Sequence, residues 1–124
     1  MEKAGSLKAD LMTRIRTVNG ISFLAEKVNL PNAEAVKNLA YGLKESDDNL
    51  FLVLAADFGG KPNITVMVSD RLVKEKGLHA GNIVKELARE IQGGGGGQPF
   101  FATAGGKDAG GLDSVLRKAE SYIG

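Results

Sequence analysis

Apolar positions recur along this chain with two periods, and the switches between them mark out the elements. Near the N-terminus Ala4, Leu7, Leu11, Ile15 and Val18 repeat at helical spacing, which predicts a helix over about residues 2–17 that stops near Asn19-Gly20. This stripe is narrow, closer to a coiled-coil seam than to the wide face of a core helix. Ile21 to Val28 reads as a strand. Pro31-Asn32 then opens a helix over about residues 33–45, with Val36, Leu39, Ala40 and Leu43 on its apolar face. Leu50 to Ala56 is an unbroken apolar run, the pattern of a strand buried on both faces. Asp57 to Pro62 is a turn, and Asn63 to Ser69 is a β-branched strand that pairs back antiparallel.

A short helix from Arg71 to Lys76 is stopped by Gly77. A longer helix from Ala80 to Gln92 turns Ala80, Ile83, Val84, Leu87, Ala88 and Ile91 inward, with Gly93 as its stop. Phe100 to Ala104 is a fourth strand. Asp108 then caps a last helix carrying Leu112, Val115, Leu116, Ala119 and Ile123. The order α-β-α-β-β-α-β-α predicts an α/β fold, with a mixed β-sheet of about four strands and packed helices.

Composition narrows the function classes. A chain of 124 residues, 43% of them hydrophobic, supports one core and one domain. The net charge of +1 provides no bulk attraction for a polyanion, so any nucleic-acid contact must be a local patch. The absence of cysteine excludes disulfides, thiolate metal sites and a cysteine nucleophile. His79 is the only histidine; it stands just before a helical run, where a helix-terminal role is expected. Asp47-Asp48, Asp57, Asp108 and Asp113 lack metal-ligand spacing with a histidine, and Asp47-Asp48 reads as a turn before a strand. No apolar run approaches the ~18 residues of a membrane span, and no signal-peptide pattern is present. The expectation is a cytoplasmic protein with no membrane partner. A helical pattern directly behind Met1 is expected of a start cut from something longer.

The densest feature is the glycine content: nine of the 17 glycines fall between Gly93 and Gly111. Glycine loses more backbone freedom on ordering than any other residue. Ligand or nucleic-acid contact, a tight structural turn and a mobile loop all remain open for this run. A phosphate loop of the Walker type fails, because Phe101 stands where glycine is needed and Asp108 where serine or threonine is needed. A dinucleotide-binding Gly-x-Gly-x-x-Gly fails at Gln98 or Pro99. Gly105-Gly106-Lys107 precedes a helix, where free N–H groups, the positive dipole end and a lysine favour an anion. Asp108 as cap competes for the same donors.

The segment Gly93-Gly-Gly-Gly-Gly-Gln-Pro-Phe-Phe-Ala-Thr-Ala-Gly-Gly-Lys-Asp-Ala-Gly-Gly-Leu112 is similar to the C-terminal signature of bacterial alanyl-tRNA synthetases. That signature reads roughly Gly-Gly-(Lys/Gly)-Gly-Gly-Gly-Arg-Pro-x-x-Ala-x-Ala-Gly-Gly-x-Asp. The elements upstream follow in the same order, and the resemblance covers about residues 20–123. Residues 1–18 then resemble the end of a helical, coiled-coil stalk, and residues 19–124 a globular tRNA-binding domain. Related DHH-type phosphoesterases carry a homologous domain in which His or Arg follows the glycines. Gln98 stands there in this chain, and its amide can still hydrogen-bond ribose or base edges.

The resemblance implies a C-terminal, DHH-associated domain that binds the elbow of tRNA(Ala) and helps couple aminoacylation to editing. The parent would be an ATP-dependent alanine–tRNA ligase. Its ATP, Mg²⁺ and editing-site Zn²⁺ would belong to other domains, which are partners of this one; no cofactor, metal ligand or catalytic residue is expected here. The alternative is the substrate-binding C-terminal domain of a DHH-family phosphoesterase. The narrow stripe of the first helix leaves open a homodimer through that helix or packing along its own domain. Gly94–Gly97 and Gly105-Gly106 are expected as two loops at one sheet edge, joined by a strand roughly 17 Å long. The expected RNA-facing residues are Gly94, Gly95, Gly96, Gly97, Gln98, Gly105, Gly106 and Lys107, with Lys61 and Arg89.

Overall fold

Leu50 to Ala56 carries apolar side chains only, and in the structure, a computed structural model that describes residues 4–123, this run is the middle of a sheet. Strand β3 (Leu50–Phe58) sends Phe51, Val53 and Ala55 into one core and Leu50, Leu52, Leu54 and Ala56 into another, and each of these is 0% exposed. A strand alternates its side chains between faces, so only an uninterrupted apolar run can serve two cores.

Around it lie β1 (Arg16–Val18), β2 (Ile21–Lys27), β4 (Lys61–Val68), β5 (Gly94–Gly97) and β6 (Phe101–Gly105), in the order β1-β2-β3-β4-β6-β5. β2 and β3 run parallel, and every other neighbouring pair is antiparallel. A parallel pair needs a crossover, which α2 (Ala33–Glu45) supplies. Asn32 starts α2 by accepting from the Ala35 N–H at 2.9 Å, and Val36, Leu39, Ala40 and Leu43 bury against the sheet as their spacing predicts. On the opposite face lie α4 (Ala80–Leu87), α5 (Leu112–Ala119) and Leu72 of α3 (Asp70–Lys76). The α/β class with a mixed sheet therefore holds, with six strands in place of about four.

Helix α1 (Ala4–Met12) is shorter than its stripe predicts. Arg16–Val18 leaves the helix and forms β1, joined to β2 by Asn19-Gly20 at φ +53° and +81°. Asn-Gly here closes a two-residue hairpin rather than ending a helix, because both residues tolerate positive φ. The expected helix start near residue 2 and the side chain of Ala4 lie outside the described residues. Leu11 is 2% exposed and packs with α2, so this helix lies along its own domain.

The helix from Ala80 is also shorter than its pattern predicts. Its α-helical part ends at Leu87, a tighter 3₁₀ turn spans Ala88–Ile91, and Gln92, not Gly93, takes the left-handed position at φ +53°. His79 caps α4 as expected, its Nδ1 accepting from the Asn82 N–H at 3.1 Å. Asp108 caps a 3₁₀ turn, Ala109–Gly111, that leads into α5.

The chain's last turn docks onto α4 through the Tyr122 hydroxyl, which donates to Glu86 Oε1 at 2.6 Å. Burial first, then the hydrogen bond and the negative charge of Glu86, hold the phenol well above the usual tyrosine value. A raised pKa contributes stability that is fully present below the unfolded value of about 10 and is lost as pH rises beyond it. In a Tyr41→Phe background, which leaves Tyr122 as the only phenol, ultraviolet titration is expected to show ionisation well above that value. Ionisation at the ordinary value would contradict the geometry.

Candidate nucleic-acid interface

Gly94–Gly97 is not a loop. It is the edge strand β5, paired antiparallel with β6 from Gly94↔Gly105 to Gly97↔Ala102. The two glycine segments expected at opposite ends of one strand therefore meet side by side. The hairpin is pinned at its tip to α4 and at its base to the 3₁₀ turn Ala88–Ile91. At its tip the Ala80 and Gly81 N–H groups donate to the carbonyls of Pro99 and Gln98 at 2.8 and 3.2 Å. At its base the Gly93 N–H donates to Ala88 O at 2.9 Å, and those of Lys107 and Asp108 donate to Ile91 O at 2.8 and 3.0 Å. These bonds join groups that a helix leaves unpaired at its ends to groups that the hairpin leaves unpaired at its turn and at its open end.

Close backbone approach, within the hairpin and between it and the 3₁₀ turn, explains part of the glycine content. A β-carbon on Gly93 would overlap Gly105 O, one on Gly95 would overlap Thr103 O, and one on Gly106 would overlap Ile91 O. At Gly97 it would sit 2.6 Å from Phe101 O. Gly94 has nothing within 4 Å of such a carbon, Gly96 meets only the flexible end of Lys85 at 3.3 Å, and Gly105 meets Pro62 O at an ordinary 3.7 Å. The run thus divides. Gly93, Gly95, Gly97 and Gly106 are packing devices, whereas Gly94, Gly96 and Gly105 leave open surface.

The ladder phase decides which backbone groups are free. The Gln98 N–H donates to Phe101 O at 2.8 Å. Bonded and non-bonded pairs alternate in an antiparallel ladder. Gly94 and Gly96 therefore bond to β6, while the N–H and C=O groups of Gly95 turn outward from an exposed edge; the Gly97 carbonyl instead lies against Gly81 at the start of α4. The anion site expected at the helix start before α5 is not available. The Gly106 N–H donates to Pro62 O, those of Lys107 and Asp108 to Ile91 O, and that of Gly110 to Asp108 Oδ1. Asp108 wins the competition for the helix terminus.

What remains for an anion is side-chain charge. Lys61 and Lys107 line one open cleft of about 460 Å³, together with Gly93, Gly105 and Gly106. Phe58, Pro62, Asn63 and Gln92 complete its walls. Lys61 reaches the cleft from the β3–β4 turn at Gly59-Gly60, and Lys107 from the end of β6. Gln98 lies at the opposite end of the hairpin, with its side chain exposed. Arg89 is not among the residues lining the cleft; its charge is felt by Tyr122 instead. The sequence reading missed Phe58, Asn63 and Gln92. Only their nearness to Gly59-Gly60 and Gly93 hinted at them, and pairing β4 beside β6 was needed to bring them together.

The DHHA1 domain family matches residues 20–124. The chain belongs to that family. Across this DHHA1 domain and the helix before it, the chain is 49% identical over 122 residues to an alanine–tRNA ligase of Cytophaga hutchinsonii. It is 50% identical over 124 residues to that of Bacteroides thetaiotaomicron. These alignments take in 98% and 99% of the chain but 14% of either relative, so the chain spans about a seventh of the length of the proteins it matches. In fold it is similar to the C-Ala domain of Aquifex aeolicus alanyl-tRNA synthetase, with a TM-score of 0.79 and 21% identity over 88% of this chain and 96% of that one. A structure described as the DHH domain of a member of the s1p family of ribosomal proteins aligns with a TM-score of 0.61 and 19% identity, over 97% of this chain and 30% of that one. Both likenesses are of fold. Among the described residues, no helix is long and apolar enough to cross a membrane.

Proposed function

We propose that this DHHA1 domain is the tRNA-binding C-terminal domain of an alanine–tRNA ligase, holding the elbow of tRNA(Ala) and helping to couple aminoacylation to editing. The identity of about half the residues over nearly the whole chain to proteins of that name carries this reading. The cleft bearing Lys61 and Lys107 and the exposed outward groups of Gly95 are chemically suited to it: two cations for phosphates, and a backbone donor and acceptor for ribose. The reading as a phosphoesterase substrate domain has support from fold alone.

The ATP, Mg²⁺ and Zn²⁺ of the parent would act in its other domains, within the cytoplasm. Among the described residues no three His, Asp or Glu side chains gather as a metal donor set, and no step is assigned to a metal here. A homodimer through α1 would have to use the outer side of that helix, where Met12 is 44% exposed, because Leu11 is committed to the domain's own core. A single monomeric species in sedimentation at all concentrations would rule it out.

With a net charge of +1 the domain can neutralise few phosphates at once. Titration of this chain against a tRNA(Ala) transcript is therefore expected to give weak binding that falls with salt, by about 0.7–0.9 in the log–log slope for each of the few phosphates held. Absence of any salt-dependent binding at low ionic strength would end the proposal.

A further inference from the structure

Helix α2 carries a second stripe beside its buried one. Lys37, Tyr41 and Lys44 follow at steps of four and three and share a side of the helix. This stripe meets the tip of the glycine hairpin. The Tyr41 and Phe101 rings lie 5.4 Å apart, centroid to centroid, at an interplanar angle of 35°. Lys44 Nζ stands 4.8 Å from the centre of the Phe100 ring and 5.9 Å from that of Tyr41, and Lys37 Nζ stands 6.0 Å from that of Phe101. Asp70 holds the Lys44 ammonium from the other side at 3.6 Å. All three rings are only half-buried.

Half-buried rings roofed by lysines ordinarily close the rim of a core, and Tyr41 and Phe101 do pack partly in that way. Three features go beyond a rim. Three rings gather at one point, two ammonium groups stand over them, and Phe100-Phe101 directly follow the exposed glycine strand and Gln98-Pro99 in the same hairpin.

We propose that Tyr41, Phe100 and Phe101, with Lys37 and Lys44, form a ledge that stacks one unpaired or stack-ending nucleobase of an RNA. This rests on the reading of the domain as an RNA-binding module, and it names what part of the RNA this surface takes. A nucleobase offers a flat π-face with a phosphate on each side, and the ledge offers three half-buried rings whose overlying ammonium groups turn aside to those phosphates as the base enters. Lys44 stays tethered by Asp70 as it turns, while the exposed Lys37 reaches a phosphate. Regular duplex RNA hides its base faces, so the ledge selects loops and ends.

The test uses this chain with two probes: a tRNA(Ala) transcript, and a short single-stranded RNA carrying a fluorescent adenine analogue whose emission is quenched on stacking. Tyr41→Leu and Phe100→Leu retain apolar bulk but remove the ring. Each is expected to weaken tRNA binding about fivefold or more and to abolish quenching, with the salt slope unchanged. Lys37→Gln should instead lower the slope of log affinity against log salt by about 0.7–0.9. If the wild type binds tRNA and folded ring variants bind equally well, the ledge is wrong and the functional reading stands. Should the leucine variants fail to fold, absence of quenching by the wild type overturns the ledge on its own. If the wild type binds no tRNA, both proposals fall.

Discussion

Replacing Gly111 by alanine is expected to destabilise the domain by about 3 kcal/mol or more, the upper end of the range for overpacking. Gly111 sits at φ −86° and ψ −2°, a conformation open to any residue, so backbone strain plays no part. The cost is steric: an added β-carbon would overlap the carbonyl oxygen of Glu90 and lie 2.6 Å from its carbon. Neither atom is a flexible side chain that could swing away. Both belong to the 3₁₀ turn Ala88–Ile91, whose Ile91 carbonyl receives the Lys107 and Asp108 N–H groups. Relief would therefore have to push α5 off this turn or break those bonds. Gly94→Ala is the matched control, with nothing within 4 Å of the new carbon, and should change stability by less than about 1 kcal/mol. Urea unfolding of the three proteins separates the cases. A Gly111→Ala variant as stable as the wild type would show that α5 does not rest on Glu90.

The second large effect is on RNA binding. If Lys61 and Lys107 each neutralise one phosphate, the double variant Lys61→Gln/Lys107→Gln should lower the slope of log affinity against log salt by about 1.5. That corresponds to roughly 30-fold weaker binding near ~0.1 M salt. Both lysines are exposed and line one cleft, so their removal should leave the melting temperature almost unchanged. Arg89→Gln is the comparison, since Arg89 lies outside the cleft lining. Equal losses from the Arg89 variant and the lysine pair would mean that the cleft is not where phosphates bind, and that the RNA approaches over the α4 side instead.

Much of the fold was legible because its signals are local. The spacing of Val36, Leu39, Ala40 and Leu43 matched one helix face, Asn32 and His79 stood where caps are needed, and Leu50–Ala56 could only be a doubly buried strand. The errors came where a local signal has two meanings. Asn19-Gly20 can end a helix or close a hairpin, and only pairing of Arg16–Val18 with β2 decides between them. Ile15 and Val18 continued the helical stripe by coincidence of spacing: Ile15 lies in the connection after α1 and Val18 in β1.

The glycine run shows the same limit more sharply. Polyglycine has no side chains, hence no periodicity from which a strand could be read. Its extended form is imposed from outside: β6 offers hydrogen-bond partners along one side, α4 fastens the hairpin at its tip and the 3₁₀ turn Ala88–Ile91 fastens it at its base. Sequence reading marked Lys61 and Lys107 as candidates, but their union in one cleft depends on β4 lying next to β6, a contact between residues some forty positions apart.

By itself, then, the sequence determined the α/β class, the central strand, three of the helix starts and the glycine signature that marks the family. It did so because burial, capping and backbone permissiveness are properties of a residue and its near neighbours. Only the tertiary structure decided that the glycines form an edge strand, which of them pack and which lie open, and that Asp108 and Ile91 close the helix terminus to an anion. Those outcomes depend on where one segment's unpaired groups meet another's, and chain order alone does not encode that meeting in any short stretch.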